Sequence, residues 1–457
     1  MTFNDKDRPL RIALISPKGP LYRHRGGIFK KSLRYAPLTL TTLAALISSS
    51  VQHQLEIYDE GIEDIPENLE ADLIGMTVIT GTANRSYELA EKFRKQGITV
   101  VLGGPHVTLV PDEAQSHADV VVTGYAEQSW PQLIEDFCSG DLKPRYSQQP
   151  DFTLNSPVFP KRELLDRRQY LTMNVFEATR SCNHNCDFCV APAAWGRRPF
   201  QKPVKHVVED IRRQGAKRLI FIDLNLIADR NYAAQLFEAL IPLNVNWFGL
   251  STTLISHEPE LLDLMQRSGC TGLLLGFESI SQANLKSARK GFNDPAGYRA
   301  LIDKLHGKGI SIMGCFVFGL DEDSSTVFEE TAKFVVEACI DLPRFAISTP
   351  FPGTPLYARL EKEGRILTRN WELYDGQHVV FQPANMSVED LKIGHEAAWR
   401  HAYSYTSMFR RIAGSRIQIP ISIIANMGYR YYAHNLHRFY TCDWIIGARP
   451  DRTLGAA

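Results

Sequence analysis

The sequence lacks a long apolar run, and it lacks an excess of charge of either sign. No stretch approaches the roughly 18 consecutive apolar residues that a membrane-spanning helix needs. Lys and Arg together number 51, as do Asp and Glu, so the formal net charge is zero and general binding of nucleic acid is not expected. The polar start MTFNDKDRPLRIALISP has no apolar core of an export signal, which predicts a protein of the reducing cytoplasm.

The length of 457 residues suits two or three domains, and the apolar fraction of 44% is enough to build large cores. Short apolar runs alternate with helical patterns over residues 11–140, which favours a doubly wound parallel sheet. We therefore predict a Rossmann-like domain at 1–140, whose ligands bind beyond the carboxyl ends of the strands. Gly103, Gly104 and Gly124 fall at such ends. The Pro-, Gln- and Asp-rich stretch 141–172 breaks the periodicity and predicts a linker.

A second alternation, over residues 173–375, predicts six strands of a partial (βα)6 barrel. Polar side chains follow these strands, and in barrels the chemistry collects at the carboxyl ends. The predicted strands are NVFEATR, RLIFID, NWFGLST, GLLLGFES, SIMGCFVFG and RFAIST.

Three of the eight cysteines, Cys182, Cys186 and Cys189, lie within CNHNCDFC directly after the first of these strands. A structural zinc would use the three thiolates plus His184, but structural zinc sites usually pair two ligand duplets across a gap. A catalytic thiol would leave two cysteines unexplained. An iron–sulfur cluster held by three thiolates fits best, and it leaves one iron open for chemistry.

CNHNCDFC resembles the C-x3-C-x-aromatic-C loop of the radical S-adenosylmethionine (SAM) superfamily, whose fold is a six-unit partial barrel. FVFGLDED and STPFPGTPLY resemble further signatures of a subgroup shared with methylthiotransferases. The resemblance implies that the three cysteines hold a 4Fe–4S cluster and that SAM binds the fourth iron. Reductive cleavage of SAM would then give a 5′-deoxyadenosyl radical.

The resemblance also assigns residues to SAM. Phe188 matches the aromatic residue that lies against the adenine, and the segment containing Asp223 and Asn225 takes the place of the acidic motif that receives the amino group. This segment departs from the commoner Gly-Gly-Glu. Ser251 would bind the carboxylate or ribose, and Glu278, in GFES, would help to hold SAM.

The first domain, with VVLGGPHVTLVPDEA and VVVTGYAEQSW, resembles the cobalamin-binding module of cobalamin-dependent radical SAM enzymes. The glycines would let backbone approach the flat corrin or its nucleotide tail. The Asp-x-His-x-x-Gly motif that supplies an axial histidine is absent, and Gly-Tyr-Ala-Glu at 124–127 replaces the usual Gly-Glu-Gly-Glu. A module that kept the fold but lost the ligand would look the same, so a vestigial or substrate-docking domain stays open.

Two other segments carry a charge or apolar bias. The basic segment 21–35 is either a solvated loop or a clasp for a phosphate or carboxylate. The predicted helical, Arg- and aromatic-rich extension at 376–457 either caps the barrel with an ordinary apolar core or contacts a membrane peripherally through 401–440.

Three functions remain at this point. The first is a cobalamin-dependent C-methyltransferase that uses a 4Fe–4S cluster and SAM. The second is a radical SAM oxidation, cyclisation or rearrangement of an apolar, lipid- or porphyrin-like small molecule. The third is a zinc-stabilised binding protein. Either enzyme would need a reductant such as flavodoxin or ferredoxin. No residue identifies the catalytic group or the substrate.

Overall fold

A computed structural model describes residues 8–19, 35–148, 152 and 156–436. The chain forms two compact units. The first contains residues 1–175 with 193–200 and 370–372, and the second contains 176–192, 201–369 and 373–457. The basic segment 21–35, except for Tyr35, and the end of the C-terminal extension from residue 437 lie outside the described residues.

The first unit is built on a six-stranded parallel sheet with the order β2-β1-β3-β4-β5-β6. Buried apolar side chains from β1, α1 and α5 pack together beside this sheet, Leu14, Leu40 and Trp130 among them. The strands are Leu10–Ser16 (β1), His53–Asp59 (β2), Leu73–Thr77 (β3), Thr99–Gly103 (β4), Val120–Gly124 (β5) and Arg145–Gln148 (β6). The helices are Leu38–Leu46 (α1), Ala83–Lys95 (α2), Pro105–Leu109 (α3), Pro111–His117 (α4) and Ser129–Ser139 (α5).

The predicted linker 141–172 differs from the structure, because it contains β6 and belongs to the first unit. Arg145–Gln148 pairs in parallel with β5 in the register Val121↔Arg145. This edge strand is short and polar, and its side chains alternate between exposed and buried. It has no apolar run, so backbone pairing with β5 makes it a strand.

The second unit contains the six predicted barrel strands, with the order β14-β13-β12-β11-β10-β7. The Rossmann-like sheet, the second parallel sheet and the helical C-terminus confirm the predicted fold class. These strands are Val175–Phe176 (β7), Arg218–Phe221 (β10), Asn246–Ser251 (β11), Cys270–Glu278 (β12), Ser311–Phe318 (β13) and Leu342–Ile347 (β14), and two short strands, Thr179–Arg180 (β8) and Phe200–Gln201 (β9), form a separate pair.

Helices cover one face of the barrel sheet and bury its alternate side chains, such as Trp247, Phe277 and Phe316. The helices are Val190–Trp195 (α6), Val204–Gln214 (α7), Arg230–Leu240 (α8), Pro259–Arg267 (α9), Gln282–Ser287 (α10), Tyr298–Gly307 (α11), Val327–Glu337 (α12), Pro355–Lys362 (α13), Val388–Ala402 (α14), Tyr405–Ser415 (α15) and Ile419–Ala433 (α16). None of the helices described here has the length and hydropathy needed to cross a membrane.

The C-terminal helices attach to the barrel through a buried histidine. The Trp399 indole N–H donates to His395 Nε2 at 3.1 Å, and both side chains lie beside the carbonyl oxygen of Phe345 on β14. Burial lowers the pKa of His395 to about 4 from its ordinary 6.5. The native state therefore keeps this imidazole neutral.

We expect the protein to lose stability as the pH falls from about 6.5 to about 4, because the unfolded chain takes up a proton on His395 before the native state does. The pKa difference corresponds to a loss of the order of 3 kcal/mol. Urea unfolding at a series of pH values, on wild type and His395→Gln, would measure this. If the free energy of unfolding fell equally with pH in both proteins, His395 would not be responsible for the loss.

Candidate active site

The cysteine loop begins at the end of the first barrel strand and is held at its base by buried charges. Asp223, after β10, accepts hydrogen bonds from the backbone N–H groups of Ala178, at 3.1 Å, and Thr179. Burial raises the pKa of Asp223 to about 7, and the nearby Glu177 carboxylate adds to the rise. Asp223 was predicted to receive the SAM amino group, and this remains a prediction. In the structure its carboxylate ties β10 to the strand that enters the loop.

Glu177 lies between two cations at the base of the cysteine loop. Its carboxylate is 2.8 Å from Arg180 Nε and 3.0 Å from Lys202 Nζ. Burial by itself raises the pKa of Glu177, but the two cations outweigh it and hold the pKa below its usual value. The loop therefore starts from a fixed, charge-compensated anchor.

The three cysteine side chains lie near one another at the rim. Cys186 is buried, whereas Cys182 and Cys189 are partly exposed. Burial raises the pKa of the Cys186 thiol to about 12, and the Lys290 ammonium opposes the rise. Its thiolate thus needs further positive charge, which bound iron supplies.

Within the described residues, no three His, Cys, Asp or Glu side chains form a group that could hold a single metal ion. A zinc ion would require its thiolates at about 2.3 Å from one centre. The thiolates of a cluster bind different irons and stand further apart. The C-x3-C-x-aromatic-C spacing along the chain, and not a preformed ion site, is therefore what favours a cluster over a structural zinc.

Asn225 connects the cysteines to the SAM prediction. Its Nδ2 lies 3.7 Å from Cys182 Sγ, while its Oδ1 is buried and has no hydrogen-bond partner among the described residues. The hydroxyl of Thr252, which follows the predicted SAM residue Ser251, is also buried and unpartnered in the described chain. Buried polar atoms rarely stay unpaired. These two positions at the carboxyl ends of β10 and β11 therefore fit a polar ligand such as SAM.

Glu278 forms a buried ion pair with Lys290, a partner that the sequence analysis did not name. Its Oε1 lies 2.6 Å from Lys290 Nζ, and both side chains are about nine-tenths buried. Burial alone lowers the pKa of Lys290, but Glu278 and the Cys186 thiol raise it above its ordinary value. A Cβ at Gly276 would meet the Glu278 carboxylate and the Lys290 ammonium, so a side chain there would displace the ion pair. The signal in the sequence is one lysine in the segment ARKGF after GFES.

Phe188, the predicted adenine contact, is partly buried and packs against the barrel core. Ser251 is buried at the end of β11, where its hydroxyl donates to the Thr252 carbonyl oxygen at 3.3 Å. The structure thus brings Asn225 beside the cysteine loop and Lys290 beside Glu278. The roles of Phe188, Ser251 and Glu278 toward SAM remain predictions.

The predicted cobalamin glycines have structural reasons within the first unit. Gly104 has a φ of 109°, and a Cβ there would lie 2.8 Å from the carbonyl oxygen of Val78. Gly124 has a φ of 76°, and a Cβ there would collide with the Gln148 carbonyl oxygen. Gly103 has room for a side chain. Close approach of the chain to itself explains two of the three, so the glycines alone do not identify a cofactor.

Two side chains near the glycines bear on the predicted cobalamin site. Ile79, just after β3, is half exposed at the edge where ligands of this fold bind. His106, which follows the glycines, is fully buried, and its ring nitrogens lie 3.2 Å from Thr80 Oγ1 and from Tyr87 Oη. His106 is therefore not available as an axial ligand of cobalamin, in agreement with the absence of the Asp-x-His-x-x-Gly motif.

Family models match residues 35–134 as a B12 binding domain, residues 176–335 as the radical SAM superfamily, and residues 354–452 as a domain of unknown function.

The bacteriochlorophyllide d C-12(1)-methyltransferase of Chlorobaculum tepidum is 31% identical over 83% of this chain and 85% of its own length. The anaerobic magnesium-protoporphyrin IX monomethyl ester cyclase of Rubrivivax gelatinosus is 25% identical over 84% and 75%. The solved structure of the cobalamin-dependent SAM radical enzyme OxsB, with aqua-cobalamin and SAM bound, superposes with a TM-score of 0.65. It is 13% identical and covers 95% of this chain and 76% of its own.

The matches confirm the predicted cofactors, a 4Fe–4S cluster, SAM and cobalamin, and they confirm that the protein is an enzyme. This chain belongs to the radical SAM superfamily, among the members that carry a B12-binding domain before the barrel.

Proposed function

We propose that this enzyme is a cobalamin-dependent methyltransferase that adds a methyl group to an unactivated carbon of an apolar small molecule. The 31% identical relative is named as a methyltransferase of bacteriochlorophyllide d, which supports both the reaction and an extended apolar substrate. When bound, the cofactors supply a 5′-deoxyadenosyl radical for C–H cleavage and a methyl group carried by cobalamin.

The observation that carries the substrate class is the inner face of the barrel sheet. Strand side chains alternate, so the members not buried under the helices face the opposite side. Arg344 of β14 is exposed on this opposite face, and its guanidinium suits an acidic group on the substrate. At the amino ends of the strands this face also carries polar side chains, Arg218, Asn246, Thr271 and Ser311. Further along the strands its side chains are partly exposed and apolar, or nearly so: Ile220, Phe248, Leu250, Leu274, Met313, Cys315, Val317 and Ala346.

The residues at the carboxyl ends of the strands have separate proposed roles around this apolar face. Asn225 Oδ1 would accept from the SAM amine, and the Lys290 ammonium would hold the SAM carboxylate while it balances Glu278. Asp223 and Glu177 would keep the cysteine loop in place. The polar groups thus lie at the strand ends, and the apolar face below them excludes water from the reacting carbon.

An anaerobic assay of the reconstituted full-length enzyme tests the proposal. SAM with a deuterated methyl group, a chemical reductant and bacteriochlorophyllide d as first probe should give a labelled methylated product. S-adenosylhomocysteine and 5′-deoxyadenosine should appear in equal amounts. Formation of 5′-deoxyadenosine without S-adenosylhomocysteine, on a substrate that is turned over, would favour oxidation or cyclisation, as in the name of the cyclase relative.

We also propose that electrons come from a flavodoxin- or ferredoxin-like reductant and that the enzyme acts in the cytoplasm, peripheral to the membrane. The apolar substrate class and the apolar, Arg-rich composition of residues 401–440 support the peripheral location. Residues 437–440 of this segment lie outside the described chain.

A further inference from the structure

Helix α16 exposes its isoleucines to solvent, in contrast to an ordinary surface helix. A surface helix buries its apolar stripe and exposes polar residues. The buried residues of α16 are Ser422, Asn426 and Ala433, and Ile424 on the opposite side is 75% exposed. The exposed apolar residues of this isoleucine face are Ile419, Ile421, Ile423, Ile424, Met427 and Tyr431.

Polar bonds fix this orientation. Asn426 Nδ2 donates to the Asp341 carbonyl oxygen at 3.1 Å, and Asn426 Oδ1 accepts from the Arg411 guanidinium at 2.9 Å. Arg411 is fully buried and also donates to the carbonyl oxygens of Ile340 and Asp341. Rotation of α16 to bury its isoleucines would leave these groups unpaired in the interior. The exposed isoleucines are thus a built feature of the fold.

The neighbouring helix extends the apolar surface and brings positive charge to it. Tyr405 and Phe409 of α15 are more than half exposed, and the Arg430 guanidinium stacks at 3.7 Å from the Tyr405 ring centre. Arg410 and Arg416 are exposed on and just after α15. The sequence from 403 to 436 contains no Asp or Glu.

We propose that the isoleucine face, with Tyr405 and Phe409, docks the enzyme onto the surface of an anionic lipid bilayer. Apolar side chains flanked by arginines, in a segment without Asp or Glu, match acyl chains beneath anionic headgroups. A symmetric dimer would use the same patch twice and bring arginines against arginines, which charge disfavours. This inference rests on the peripheral location proposed above and is independent of methyl transfer.

Co-sedimentation of the full-length protein with vesicles tests the docking surface. Vesicles of phosphatidylcholine with phosphatidylglycerol should bind the wild type, and phosphatidylcholine alone or high salt should weaken binding. Ile424→Asp should reduce binding to the anionic vesicles at least about ten-fold, because a carboxylate would enter the headgroup region. Its circular dichroism and iron content should match wild type, since the side chain is exposed.

Ile393→Asp is the matched control, because Ile393 is 58% exposed on α14, outside the isoleucine face, and its variant should bind as wild type does. Equal binding by wild type and Ile424→Asp would overturn the proposal. A wild type that binds no vesicles would also overturn it. Light scattering would then distinguish two other occupants of the face: a second copy, in a dimer that Ile424→Asp dissociates, or the C-terminal residues of the same chain, in a monomer. Anionic-vesicle assays involve no catalysis, so failure here leaves the methyltransferase proposal standing.

Discussion

Cys186→Ala is expected to abolish cluster assembly and with it the cleavage of SAM. Cys186 is the buried member of the three cysteines, so no water or neighbouring ligand can readily replace its thiolate. Iron and sulfide content after anaerobic reconstitution should fall to background. Reductant-dependent 5′-deoxyadenosine should fall by at least about a thousand-fold, the scale of losing an essential catalytic centre.

The control is Cys138→Ala, which removes a free, partly exposed cysteine on α5 of the other unit. This variant should keep full iron content and SAM cleavage. A Cys186→Ala protein that retains four irons and normal activity would refute the assignment of this residue as a ligand.

Lys290→Met is expected to destabilise the protein and to weaken SAM binding. It would leave the Glu278 carboxylate buried without its partner, and removal of one member of a buried pair costs about 3–5 kcal/mol. The same lysine is proposed above to hold the SAM carboxylate, so the Kd for SAM should rise at least about ten-fold. Urea unfolding and equilibrium binding of SAM to the reconstituted protein measure the two effects separately.

Lys286→Met is the matched control, because Lys286 is exposed on α10 four residues earlier and should change neither quantity. The double variant Lys290→Met, Glu278→Gln should recover much of the lost stability, since no charge is then left unpaired. It should not recover SAM binding. Recovery of both would reduce Lys290 to a structural partner of Glu278.

Local patterns account for what the sequence predicted well. The cysteine loop is eight residues long, and its ligands were named from spacing and resemblance alone. Both sheets were predicted because parallel strands buried on both faces show as apolar runs between helical patterns. Strand β6 was missed because its four residues, RYSQ, contain no such run.

Residues distant in sequence decide the features that were missed. Lys290 follows Glu278 by a turn and helix α10, and only the folded chain shows the 2.6 Å pair beside Cys186. The glycines at 104 and 124 were predicted to approach a corrin, which stays a prediction, and the structure adds that the backbone of Val78 and Gln148 lies against them.

The sequence by itself determined the two parallel sheets and predicted the cysteine ligands, because strand alternation and short ligand spacing are properties of contiguous residues. Tertiary structure alone decided which buried charges pair, which glycines the chain needs, and which way α16 faces. Composition could not distinguish an apolar core from an exposed apolar face in residues 401–440. The hydrogen bonds of Asn426 with Arg411 and Asp341, together with the packing of Tyr429 and Tyr432 against Trp399, set that orientation.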